Sequence, residues 1–109
     1  MASFNEGENK KFCITWYSDG SVYCGEVEYD RRHGMGMEWI PGLYVYYGNY
    51  VHNYRSGYGV MKYNSEDVYV GMWARDKYNG FGRILNKDGV MVESGNYKNS
   101  ELRVVGDFR

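Results

Sequence analysis

The sequence predicts an all-β fold assembled from repeated β-hairpins, and three observations carry the prediction. A Tyr-x-Gly triplet followed by Gly-x-Gly occurs three times: Tyr23/Gly25 with Gly34/Gly36, Tyr46/Gly48 with Gly57/Gly59, and Tyr69/Gly71 with Gly80/Gly82. Each of these twelve positions recurs at a spacing of 23 residues, a register that composition alone does not produce. Aromatics make up 18% of the chain, with thirteen Tyr, fifteen Gly and a single Pro, which favours strands and tight turns over helices. No stretch carries the i, i+3, i+4 apolar spacing of an amphipathic helix.

Taken in order, residues 1–10 are polar and aperiodic, and read as a flexible lead-in. Phe12, Ile14 and Trp16 alternate as in a strand. Trp16 precedes Trp39 by the repeat length, so 11–20 is a half repeat, closed by the turn residues Ser18-Asp19-Gly20. In the first full repeat, 21–43, Tyr23, Gly25, Val27 and Tyr29 share one face, and Cys24, Glu26 and Glu28 the other. Asp30–His33 is its polar turn, Gly34–Ile40 its return strand, and Pro41-Gly42 its end. The second repeat, 44–66, is a hairpin over 44–63 that turns at His52–Arg55. The third, 67–89, is a hairpin over 68–85 that turns at Arg75–Tyr78. A degenerate repeat spans 90–100, its strand at Met91–Tyr97 and its Gly95 one residue late. Residues 101–109 form a C-terminal tail, with an irregular strand over 102–106 before the end frays.

The recurrence of glycine beside aromatic has a physical reason. A glycine within a strand has no side chain to pack, and it is tolerated where a neighbouring ring lies over the bare backbone. The tyrosine and the Gly-x-Gly pair of each repeat sit on paired strands, so this cover is available three times. The expectation is a lattice in which tyrosine covers glycine from one hairpin to the next.

Composition excludes several functions. With 13 basic and 14 acidic side chains the net charge is −1, which gives no general field for nucleic acid. No apolar run approaches a membrane span, and the first residues lack the basic and apolar regions of a signal peptide. The expected compartment is cytosolic. Cys13 and Cys24 read as free thiols, and with His33 and His52 they show no metal-ligand spacing. No cofactor or small-molecule substrate is implied. Gly80-Phe81-Gly82 has the look of an RNA-recognition strand, but Gly34-Met35-Gly36 and Gly57-Tyr58-Gly59 fill the same slot, so architecture accounts for it. No copy extends to Gly-x-Gly-x-x-Gly. Both histidines lie in or beside turns, and no nucleophile, base and acid converge, so no enzyme is expected.

The twelve repeat positions resemble the MORN (membrane occupation and recognition nexus) repeat over roughly residues 12–100. Departures are Val27 and Tyr50, where the family often has Trp as at Trp73, and Glu66, where a glycine is usual. The resemblance implies an elongated single antiparallel meander of stacked hairpins, about eight strands in all. It also implies cytoskeletal or membrane-proximal settings, among them the cell cortex and the radial spokes and microtubule doublets of the ciliary or flagellar axoneme.

Two surfaces are candidates for function. The turn segments hold Arg31, Arg32, His33, Arg55, Arg75 and Lys77, while Asp19, Glu66, Asp67 and Asp88 fall in the links between repeats. A basic edge opposite an acidic one is therefore expected, suited to anionic phospholipid or an acidic protein tail. A thin sheet also cannot bury all its aromatics, so Trp16, Trp39, Met37, Tyr58, Phe81 and Trp73 are expected to line an exposed groove for an amphipathic helix or extended peptide. The sequence thus reads as a structural adaptor that binds protein partners within a larger assembly, with a peripheral membrane module as the alternative.

Overall fold

A computed structural model of the chain describes residues 9–103. Nine strands lie in one antiparallel sheet in strict chain order: β1 (Lys10–Trp16), β2 (Val22–Glu28), β3 (Arg31–Ile40), β4 (Tyr44–Val51), β5 (Tyr54–Tyr63), β6 (Val68–Ala74), β7 (Lys77–Leu85), β8 (Met91–Lys98) and β9 (Glu101–Arg103). The described residues contain no helix, hence none long and apolar enough to cross a membrane. The molecule is elongated, 56 × 31 × 20 Å. The meander is the expected one, with one strand more than eight. The tail's Glu101–Arg103 pairs with β8, earlier than the strand expected at 102–106, and Lys10 of the lead-in already belongs to β1. The rest of the lead-in to residue 8 and the tail from 104 onward lie outside the described residues.

The hairpin tips differ from the sequence expectation. They are two-residue turns, Tyr29-Asp30, His52-Asn53, Arg75-Asp76 and Asn99-Ser100, and both residues of each have positive φ (49° to 76°). This is the type I′ geometry, whose twist matches that of the paired strands. Arg31, Arg32, His33, Arg55 and Lys77 are consequently strand residues, not turn residues. In the last three tips the second residue also fastens its hairpin to the one before. Asn53 accepts from Arg32 N at 2.8 Å and donates to Arg32 O at 2.9 Å. Asp76 does the same to Arg55 (2.8 and 3.1 Å), and Ser100 to Tyr78 (3.1 and 2.9 Å).

The register places one glycine from each of β2 to β8 in a single row: Gly25, Gly36, Gly48, Gly59, Gly71, Gly82 and Gly95 are successive partners. The late Gly95 joins this row because an irregularity opposite Ile84 and Leu85 absorbs its extra residue. The cover over the row works within a hairpin, not between hairpins as expected. A Cβ on Gly36 would stand 2.3 Å from Tyr23 Oη, one on Gly59 2.3 Å from Tyr46 Oη, and one on Gly82 2.3 Å from Tyr69 Oη. Beyond the row each hairpin bulges: between Gly25↔Gly36 and Val27↔Arg32, three residues of β3 face Glu26 alone. The covering tyrosine hydroxyl donates to the carbonyl of the residue opposite the bulge, Tyr23 to Glu26 O, Tyr46 to Asn49 O and Tyr69 to Met72 O, at 2.8 to 2.9 Å. Ring, glycine pair and bulge thus form one device, repeated three times.

Candidate functional site

The sheet has two faces of opposite character, because alternation sends Tyr23, Tyr46 and Tyr69 one way and their sequence neighbours the other. The inner face is the core. Its buried residues are Tyr23, Tyr46, Tyr50, Met61, Tyr69, Trp73 and Tyr97. Tyr50 stands edge-on between Tyr23 and Tyr46 with ring centroids 5.4 and 5.3 Å away, and Trp73 stands likewise between Tyr46 and Tyr69, both at 5.3 Å. Tyr97 continues the pattern beyond Tyr69 at 5.5 Å. These perpendicular wedges, favoured by the ring quadrupoles, are what locks hairpin to hairpin. Trp73 is therefore a core residue, 4% exposed, and not part of the exposed groove in which the sequence reading grouped it.

The same face takes two arginines away from the expected basic edge. The Arg32 guanidinium lies 4.5 Å from the Tyr23 ring centre, and that of Arg55 lies 5.6 and 5.2 Å from the Tyr46 and Trp73 rings. Both approach the Glu38 carboxylate, at 3.1 and 3.5 Å, and Arg55 also approaches Asp76 at 3.2 Å. The hydroxyls of Tyr44 and Tyr50 donate to Glu38 at 3.4 and 3.2 Å. Burial alone would lower the pKa of Arg32, but the bond to the Tyr17 hydroxyl and the charge of Glu38 hold it above its ordinary value. Burial likewise pushes the Tyr23 and Tyr69 hydroxyls up to about 12 and raises those of Tyr46, Tyr50 and Tyr97. A position that is Met61 and Ile84 in the later repeats is thus a buried ionic junction at Glu38 in the first.

With Arg32 and Arg55 turned inward, the tip edge is not basic. Arg31, Arg75, Lys77 and Lys98 remain on it, interleaved with Glu28, Asp30, Asp76 and Glu101, four charges of each sign. His33 lies 3.6 Å from Glu28, with its ring 5.2 Å from that of His52. Among the described residues no group of three or more His, Cys, Asp or Glu is placed to hold a metal ion. Cys13 and Cys24 are free thiols on opposite faces.

The outer face is apolar and open. Register collects its large residues into three rows running across the strands. One row contains Phe12, Met35, Tyr58, Met72 and Phe81, the next Ile14, Met37 and Tyr47, and the third Trp16 and Trp39. All ten are 40% to 74% exposed. The sequence reading placed Trp16, Trp39, Met37, Tyr58 and Phe81 here, and the structure brings them together. It missed Phe12, Ile14, Met35, Tyr47 and Met72, although the period-2 alternation against the buried tyrosines points to each of them.

A single-layer meander of repeated hairpins, with one face locked by aromatic wedges and the other left apolar, defines a β-repeat protein of the interaction-module class. A family model for the MORN repeat matches three times, at residues 23–42, 46–68 and 69–91, so more than half of the chain is covered and the protein belongs to the MORN-repeat family. MORN repeats commonly mediate protein or membrane interactions. No curated protein matches the chain.

Proposed function

We propose that this protein is a non-catalytic adaptor that binds a protein partner through the outer face of its sheet, inside a cytoskeletal assembly. The observation that supports this reading is the outer face itself, ten large apolar side chains at 40% to 74% exposure on one surface. Contiguous apolar surface on that scale marks an interaction site in a folded protein. The cytosolic compartment and the ciliary or flagellar axoneme remain the setting that the repeat class suggests. The membrane reading draws on the remaining tip cations Arg31, Arg75 and Lys77, and is weaker because acidic residues alternate with them.

The test is retention of the protein in a detergent-extracted cytoskeletal fraction. Substitution of Tyr47, Tyr58 and Phe81 by Ser together should release it, whereas reversal of Arg31, Arg75 and Lys77 should not. Release by the charge reversals alone, with binding to anionic vesicles that salt abolishes, would replace the adaptor with a membrane module.

A further inference from the structure

We infer that the outer face seats an α-helix laid across the strands, with apolar residues in heptads and acidic residues flanking them. This rests on the reading of the outer face as a protein-docking surface, and three features of that face select the occupant.

Spacing is the first. Phe12, Met35, Tyr58 and Phe81 occupy one slot of the 23-residue repeat, so they recur every second strand. Two strands span about 9.6 Å. An α-helix advances about 10.5 Å in seven residues, so a residue at every seventh position meets each of these side chains in turn. Over the three intervals from Phe12 to Phe81 the sheet spans about 29 Å, and three heptads about 31 Å.

Width is the second. A left-handed polyproline segment has a similar repeat, about 9.3 Å for three residues. The three apolar rows, however, are two residues apart along each strand, which makes the band about 14 Å wide. A helix with side chains, about 10–12 Å across, covers most of the band; a narrower polyproline ridge would leave the Trp16/Trp39 row bare. Met35, Met37 and Met72, adaptable and polarisable, suit such a helical guest.

Charge is the third. The chain as a whole is −1, yet its charges are not shared equally between the faces. Alternation puts Lys10, Arg31, Lys62, Lys77, Arg83 and Lys98 on the outer side, against Glu26, Glu28 and Glu101, an excess of three positive charges. Lys62 and Arg83 stand within the band, Arg83 with its guanidinium 5.4 Å from the Phe81 ring centre. Face-to-face pairing of two copies would oppose like charges, whereas acidic residues flanking a helix would meet these cations.

The test uses the full chain and three probes in titration calorimetry. The first is a synthetic acidic peptide of four heptads, Leu at its apolar positions and Glu beside them, with a scrambled version as control. The second is an acidic polyproline-type peptide with an apolar residue at every third position, and the third vesicles of phosphatidylserine and phosphatidylcholine. The inference expects the heptad peptide to bind and to perturb the fluorescence of exposed Trp16 and Trp39. It expects Lys62→Glu with Arg83→Glu to weaken that binding by about tenfold or more, while Tm stays unchanged because both side chains are exposed. Equal binding of the scrambled peptide, or stronger binding of the polyproline peptide, overturns the helix and leaves the protein-docking face standing. Binding of vesicles alone overturns both.

Discussion

Gly59→Ala isolates the device on which the fold depends. Gly59 is in extended backbone, so a methyl group there meets no conformational penalty of its own. It would instead stand 2.3 Å from Tyr46 Oη and 2.5 Å from Cε1, closer than real Cβ contacts come. Tyr46 is fully buried, hydrogen-bonded to Asn49 O, and wedged against Tyr50 and Trp73. The ring has nowhere to move except out. Removal of a buried aromatic costs about 3–5 kcal/mol, and the abandoned hydroxyl bond adds about 1 kcal/mol. We expect a loss of about 4 kcal/mol, a large part of the stability of a domain whose total is about 5–15 kcal/mol. Gly42→Ala is the control: nothing lies within 4 Å of its added Cβ, so only the strain of its positive φ remains, about 1–2 kcal/mol. The assay is equilibrium urea denaturation, with Tyr46→Ala and the double variant closing a cycle. The three nearest neighbours of the methyl group are all atoms of Tyr46 and go with it, so the two changes should couple by about 3 kcal/mol. A Gly59→Ala cost below about 1 kcal/mol, or strict additivity with Tyr46→Ala, would refute the packing argument.

Three further outcomes follow from the same geometry. Glu66 has φ 78° at a link where Gly20 and Gly89, 46 residues before and 23 after it, fill the corresponding slot; Glu66→Gly removes the left-handed strain and, after the entropy returned to the unfolded chain, should stabilise by about 0.5 kcal/mol in a thermal melt. Glu38→Met, which imitates Met61, strands Arg32 and should cost about 3 kcal/mol by denaturant titration, and adding Arg32→Tyr, as at Tyr78, should restore most of it. Tyr23 and Tyr69, with hydroxyls raised from 10.0 to about 12, retain their protons longer folded than unfolded. Their contribution is therefore complete below pH 10 and is lost as pH climbs to about 12, so Tm should fall across that window as tyrosinate absorbance rises.

Much of the fold was legible because the repeat made each inference three times over. The spacing of Tyr23, Tyr46 and Tyr69 gave the hairpins, their phase and their covering role. What failed to show was local. The two-residue tips do not show in the sequence, because Tyr29, His52 and Arg75 are not residues that announce positive φ, and the clamps that hold the later tips join positions 21 or 22 residues apart. Trp73 matches Trp16 and Trp39 in residue type, but its place two residues after Gly71 puts it with the buried tyrosines. Arg32 and Arg55 read as edge charges because only the folded sheet reveals Glu38 between them. The outer face was half legible: alternation identifies it, but only its exposure establishes that no second layer among the described residues covers it.

The inner face folds the protein, and in our proposal the outer face is kept for a partner. Urea denaturation of two variants tests this division most directly: Tyr46→Ser on the inner face, and Tyr47→Ser, Tyr58→Ser and Phe81→Ser combined on the outer. The single inner substitution should cost about 3–5 kcal/mol, and the three outer ones together about 1.5 kcal/mol or less. An outer triple variant as unstable as the inner single one would contradict it, for the outer aromatics would then belong to the core.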